Sequence, residues 1–192
     1  MLTKLLFAVL VGLWSVSASA GWVLDNDKSH ISFTSTKANS VAEVLGFNKL
    51  KGSVSDDGHV HVSIDLNSVD TAIEVRDERM REMLFETEKY PAASITATIA
   101  MQDLAALKPG DTKSMDVDAE LSMHGTTIEV PVSLEVARLT KDRILVVSKK
   151  PVVVTAGQFG LVGGLDKLQE IAGLPSISPA VPVSFILTFT AQ

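Results

Sequence analysis

The sequence contains no cysteine. That excludes disulfides, thiol nucleophiles, thiolate metal sites and anchoring through a lipidated N-terminal cysteine. Aromatic residues are scarce, 5% of the chain, with one tyrosine and two tryptophans. Cations are outnumbered: 17 Lys and Arg against 23 Asp and Glu leave a net charge of −6, which gives nucleic acid no basic footprint. Gly-x-Ser-x-Gly, Walker and Gly-x-Gly-x-x-Gly patterns are all missing, so the usual nucleophile and phosphate loops are absent. What the sequence has in plenty is aliphatic. Hydrophobic residues make up 46% of 192 residues, and the mean hydropathy is +0.26. That length suits one domain.

Part of the excess lies at the front. Lys4 is followed by the apolar stretch Leu5–Trp14 and then by the small residues Ala18-Ser19-Ala20. This is the order of a secretory signal, and its apolar run is about half of the ~20 residues that span a bilayer. Residues 1–20 are therefore expected to be a cleaved signal peptide, and 21–192 the mature domain with no membrane span. An exported chain without cysteine or a second anchor points to a bacterial periplasm. Its stability must come from core burial alone.

The mature chain alternates with period two. Val60, Val62, Ile64 and Leu66 alternate with His59, His61, Ser63 and Asp65. Ile31 and Phe33, then Ile95 and Ile99, repeat the pattern. So do Met115 to Met123, Ile128 to Val136, and Val181 to Phe189. Each run has one face to bury and one to wet, the antiparallel signature. Asp56-Asp57-Gly58, His124-Gly125 and Lys141-Asp142 read as hairpin turns. Pro131 sits inside a run, so that strand must be at an edge or carry a bulge. Glu74–Phe85 and Leu165–Ala172 have helical spacing, and Asp103–Leu107 is expected to add one turn. The sum is an all-β chain of about eight strands with one or two short helices, a sandwich or barrel.

Chemistry is harder to find. His59 and His61 share the polar face of one strand, but no third ligand has a suitable spacing, so they read as a solvated pair and no metal site is expected. Gly160–Gly164 is glycine-rich without the lysine of a phosphate loop and reads as a flexible loop. Arg76-Asp77-Glu78-Arg79 adjoins the apolar Met80, Met83, Leu84 and Phe85. Two readings remain open for it: an amphipathic helix covering one end of the barrel, or a lid whose Met-rich side touches a ligand.

Several motifs together resemble the YceI-like family of periplasmic lipid- or polyisoprenoid-binding proteins. They are Trp22, Asp25, Ser29-His30-Ile31-Ser32-Phe33, Gly46-Phe47 and Gly52. Ile64-Asp65-x-x-Ser68-x-x-Thr71 follows, then Arg76-Asp77-x-x-Met80, Tyr90-Pro91 and Leu121-Ser122-Met123-His124-Gly125-Thr126. Gln158-Phe159-Gly160-Leu161 is similar to a later family element, Leu165–Pro182 resembles an insertion, and Leu165–Leu174 within it is expected to cap or narrow the cavity. The resemblance implies a lipocalin-like antiparallel β-barrel whose cavity holds a polyisoprenoid or quinone-like lipid, with no other cofactor. It maps the family's Arg-Asp pair onto Arg76 and Asp77 near the opening. Together with the alternation it makes Phe33, Phe47, Met80, Leu84, Phe85, Ile99, Leu121, Met123, Phe185 and Phe189 the expected contacts of the lipid tail. The implied function is a non-catalytic carrier. The rivals are an enzyme using His30 or His124 as base, and an apolar-filled barrel acting as an interaction module, for instance a homodimer.

Overall fold

The computed structural model describes residues 21–192. The expected signal peptide lies outside the described residues. The chain runs through β1 (Trp22–Leu24), β2 (His30–Lys37), β3 (Val41–Phe47), β4 (Leu50–Val54), β5 (His59–Asp65) and β6 (Val69–Asp70). Helix α1 (Glu74–Arg79) follows and passes directly into a π turn, Met80–Leu84. Then come β7 (Ala92–Thr98), α2 (Met101–Ala105), β8 (Thr112–Met123), β9 (Thr126–Thr140), β10 (Arg143–Ser148) and β11 (Val152–Thr155). A 3-10 turn at Ala156–Phe159, α3 (Val162–Ile171) and β12 (Ala180–Ala191) complete it.

These segments amount to eight strands closed into an antiparallel barrel, the one of the two architectures left open by the alternation that the family resemblance implied. β1 and β2 are one strand broken at Asn26–Lys28, since β1 pairs the far end of β12 and β2 its middle. β3 with β4, β5 with β6, and β10 with β11 are broken in the same way. Each strand pairs with the one before it, and β12 returns to β1 and β2 to close the ring. Side chains repair the breaks. At the first one, the Thr188 amide donates to Ser29 Oγ at 3.0 Å and the Leu50 amide to Asn26 Oδ1 at 2.7 Å. Backbone groups that leave the ladder thereby keep partners.

Closure gives the barrel two unlike ends. The lower end holds tight turns, both ends of the described segment and α2, whose Leu104 is buried. Trp22 also closes it: the Arg138 guanidinium lies 4.8 Å above its ring. Arg138 continues the inward parity of Val132, Leu134 and Val136, and the indole face receives its charge at the barrel mouth. The upper end carries the long connections, from β6 to β7 and from β11 to β12.

Pro131 conforms to its restriction. β9 pairs β8 opposite it at Asp118, but β10 joins β9 only from Leu134 onward, so the missing N–H faces no partner strand. The glycine-rich segment is corrected: it does not form a loop throughout, because Gly163 and Gly164 lie in the first turn of α3. A Cβ on Gly164 would run into the Met83 carbonyl and Leu84 Cα. The glycine is there so that α3 can lie against the π turn, not for flexibility.

Candidate functional site

The barrel encloses a cavity of about 260 Å³. It runs the length of the barrel, from Leu104 and Val54 below to Leu161 and Leu165 above. Among the described residues, none that is charged lines it, and Thr155 is the one lining residue with a hydroxyl group. That hydroxyl donates to Gln158 Oε1 at 3.2 Å, and the same oxygen accepts from the Thr155 amide at 2.8 Å as part of a capping box at the 3-10 turn. Inward-facing Ile95, Val117, Leu121, Val183 and Phe185 are only partly buried. A close-packed interior would have covered them. Alternation therefore fills the lower layers, with Ile144, Leu187 and Phe189 buried, and leaves room beside others.

Of the residues expected to touch a lipid tail, Phe33, Phe47, Leu84, Phe85, Ile99, Leu121, Met123, Phe185 and Phe189 line this cavity. Phe33, Phe47 and Phe85 form a row, with ring centroids 5.4 and 5.8 Å apart. Met80 is buried in the core beside them but is not in the wall. Arg76 and Asp77 also stand outside it, and protein groups hold the Asp77 carboxylate and both terminal nitrogens of Arg76, while the buried Arg76 Nε has no hydrogen-bond partner. Asp77 Oδ1 accepts from the Thr71 amide at 2.9 Å and from its hydroxyl at 2.5 Å. Arg76 donates to the Thr71 carbonyl at 2.6 Å and to Glu43 at 2.8 Å. The two neighbours do not pair with each other. Together they clamp the loop at Thr71 and fasten α1 to β3.

The other motif positions work similarly. Asp65 Oδ1 accepts from the Asn67 amide at 3.0 Å, and Ser68 Oγ donates to the Asp65 carbonyl at 2.6 Å while accepting from the Lys49 amide at 2.9 Å. The spaced Asp, Ser, Thr and Asp side chains thus knit the crossing from β5 into the cap. Glu43 takes Lys37 Nζ at 2.7 Å as well as Arg76. The Lys37 hydrogen bond, and after it Arg76, hold its carboxyl below the ordinary glutamate range, against a partial loss of solvent.

Reading residues one strand at a time missed Phe159 and Leu161 in the upper wall, while Leu165 begins the segment expected to cap or narrow the cavity. Phe159, Leu161 and Leu165 belong to the connection between β11 and β12 and line the cavity from above. One local signal pointed there: Thr155 followed three residues later by Gln158 is a capping-box spacing. Nothing local placed the turn over the barrel. His30 is exposed on the outer side of β2, and His59 and His61 are exposed on β5. No group of three metal-ligating side chains occurs among the described residues.

A YceI-like domain model matches residues 22–189, nearly all of the described chain. The chain belongs to the YceI-like family. A solved polyisoprenoid-binding domain from Saccharophagus degradans, implicated in plant cell wall breakdown, is 37% identical and superposes with a TM-score of 0.88, covering 90% of this chain and 99% of that one. BcnA from Burkholderia cenocepacia is 20% identical, with a TM-score of 0.67 over 86% of this chain and 98% of its own. The YceI protein of Campylobacter jejuni, 13% identical with a TM-score of 0.50, covers 99% of this chain and 93% of its own. The last two show the shared fold alone. No curated protein matches the chain. In this YceI-like barrel, no helix of the described residues is long and apolar enough to cross a membrane.

Proposed function

We propose that this chain is a non-catalytic carrier for a polyisoprenoid or similar long-chain lipid, exported to the periplasm through residues 1–20. One observation carries the reading: a cavity the length of the barrel whose wall offers no charge and no free polar side chain. Such a wall suits a hydrocarbon tail. Each buried CH₂ contributes about 0.8 kcal/mol, so a long tail binds firmly without any strong polar contact. The polyisoprenoid-binding character of the Saccharophagus degradans relative agrees with it. Neither His30 nor His124, the bases of an enzyme reading, lies in the wall.

The test is extraction. Protein purified from its native compartment is treated with organic solvent and the extract read by mass spectrometry. A stoichiometric prenyl lipid is expected, and added prenyl lipid is expected to raise the Tm of the stripped protein. A clean extract together with no thermal protection would sink the carrier reading. Turnover of the bound lipid that disappears in His124→Ala or His30→Ala would favour an enzyme instead.

A further inference from the structure

At one point of the upper end three connections meet. His124 sits in the β8–β9 turn with φ of 52°, followed by Gly125 with φ of 78°. Its ring lies against Tyr90, centroids 4.2 Å apart, and Gly125 leaves room for the Tyr90 ring beneath it. Nδ1 is 3.1 Å from the Phe159 carbonyl, at the end of the 3-10 turn that lines the cavity. Nε2 is 3.4 Å from Glu86 Oε2, in the connection that carries α1 and the π turn. One imidazole thus touches both halves of the cap.

The chemistry of those partners assigns the protons. A carbonyl oxygen only accepts, so Nδ1 carries a hydrogen and donates to Phe159. The nitrogen left to accept a further proton is therefore Nε2. That atom is buried and makes no hydrogen bond, although a carboxylate stands 3.4 Å away. On a neutral ring its lone pair faces the Glu86 oxygens, an unfavourable arrangement. A proton there turns the same contact into a charge-assisted pair. The titratable groups facing the ring are Glu86, Tyr90 and, 4.8 Å above the Tyr90 ring, Lys89. The 3-10 turn contributes only the Phe159 carbonyl, and the hairpin only uncharged Met123 and Gly125.

We propose that His124 is a pH-sensitive latch joining Glu86 to Phe159, closing the cap over the cavity when protonated and loosening it when neutral. For its purpose, control of lipid uptake and release, this rests on the carrier reading; the latch itself does not. Protonation of Nε2 adds the pair with Glu86, so the cap is held on the acidic side and freed as the pH rises.

The experiment is hydrogen exchange on the lipid-free protein at pH 5.5 and 8, each rate divided by its intrinsic rate and compared with the lower β8–β9 ladder. Residues 80–90 and 156–172 are expected to open about three- to ten-fold less often at pH 5.5, the range a partly exposed charged pair supplies. His124→Asn keeps a donor for Phe159 and tolerates the positive φ but cannot titrate. Glu86→Gln removes the charge that the proton answers. Both variants should lose the pH difference. A wild-type cap that opens equally at the two pH values, or a pH difference that persists in His124→Asn, overturns the latch. Stopped-flow uptake of the neutral probe N-phenyl-1-naphthylamine should quicken at pH 8 by a similar factor. A probe that never enters speaks against the carrier reading, while the latch is judged on exchange alone.

Discussion

Arg76 donates to Glu43 at 2.8 Å, and Lys37 reaches the same carboxylate oxygen from the other side at 2.7 Å. Three elements, β2, β3 and α1, are thereby tied through one acid. Charge-assisted contacts to a single carboxylate reinforce one another because the side chain is ordered once for both. The Arg-Asp pair of the family motif thus has a physical task that needs no ligand: it seats the cap on the barrel rim.

Glu43 makes acid stability its readout. Its carboxyl is held low by the Lys37 hydrogen bond first and by Arg76 second. A depressed folded-state value stabilises the fold above the ordinary glutamate range and loses that contribution as pH falls through the folded value. Glu43→Gln should therefore cost about 1 kcal/mol or less near neutrality, since the side chain is 34% exposed and solvent screens it. The gap to wild type should close as urea titrations move from pH 6 toward pH 2.5. A gap that widened in acid would contradict the assignment.

Gly164→Ala probes the packing of α3 on the π turn. The added methyl meets backbone at Met83 and Leu84, which cannot step aside as a flexible side chain would. A loss of about 1–3 kcal/mol is expected for such overpacking, despite alanine's better helix propensity. The damage should be local. Limited proteolysis should cut near residues 160–175 while the far-ultraviolet spectrum of the barrel is kept. A variant as stable as wild type would mean that α3 does not bear on the cap.

How far the sequence told this in advance depended on periodicity. Period two is a local property, so the runs at Val60–Leu66 and Met115–Met123 announced the strands and which faces turn inward. It is equally why Phe33, Leu121 and Phe185 were legible as inward residues. Period two cannot report whether an inward side chain meets another or meets space. Nor does it place Phe159 and Leu165, whose positions depend on where a connection folds after leaving the sheet. The Arg76–Glu43 and His124–Glu86 contacts join residues 33 and 38 positions apart, and no local pattern encodes them. The glycine-rich segment misled for the same reason, because Gly164 answers to Met83.

The seal at the lower end can be watched directly. Trp14 and Trp22 are the two tryptophans of the sequence, so once residues 1–20 are removed Trp22 alone reports. It is buried, with Arg138 over its ring. Arg138→Ala should cost about 0.5–2 kcal/mol from the lost cation–π contact and shift the emission to the red as water reaches the indole. Trp22→Ala should cost more, about 3–5 kcal/mol, because it opens a large hole in the core. An unchanged emission in Arg138→Ala would show that the guanidinium does not shield the ring.

Whether the barrel is hollow can be decided by filling it. Val117 lines the cavity from β8 and is only partly buried, although it faces inward. In a close-packed interior, Val117→Phe forces neighbours off their rotamers and costs about 1–3 kcal/mol. In a hollow barrel the larger ring finds space, buries apolar area and leaves the stripped protein as stable as wild type or more so. Phe159→Ala supplies the control. Its side chain is 1% exposed and wholly engaged in the wall, so its loss should cost about 3–5 kcal/mol in either case. The expected pair of results is an unchanged or raised Tm for Val117→Phe and a marked fall for Phe159→Ala, with less extractable lipid in Val117→Phe. A fall in Tm for both would mean that side chains already occupy the space assigned to the lipid, and the interaction-module reading would replace the carrier.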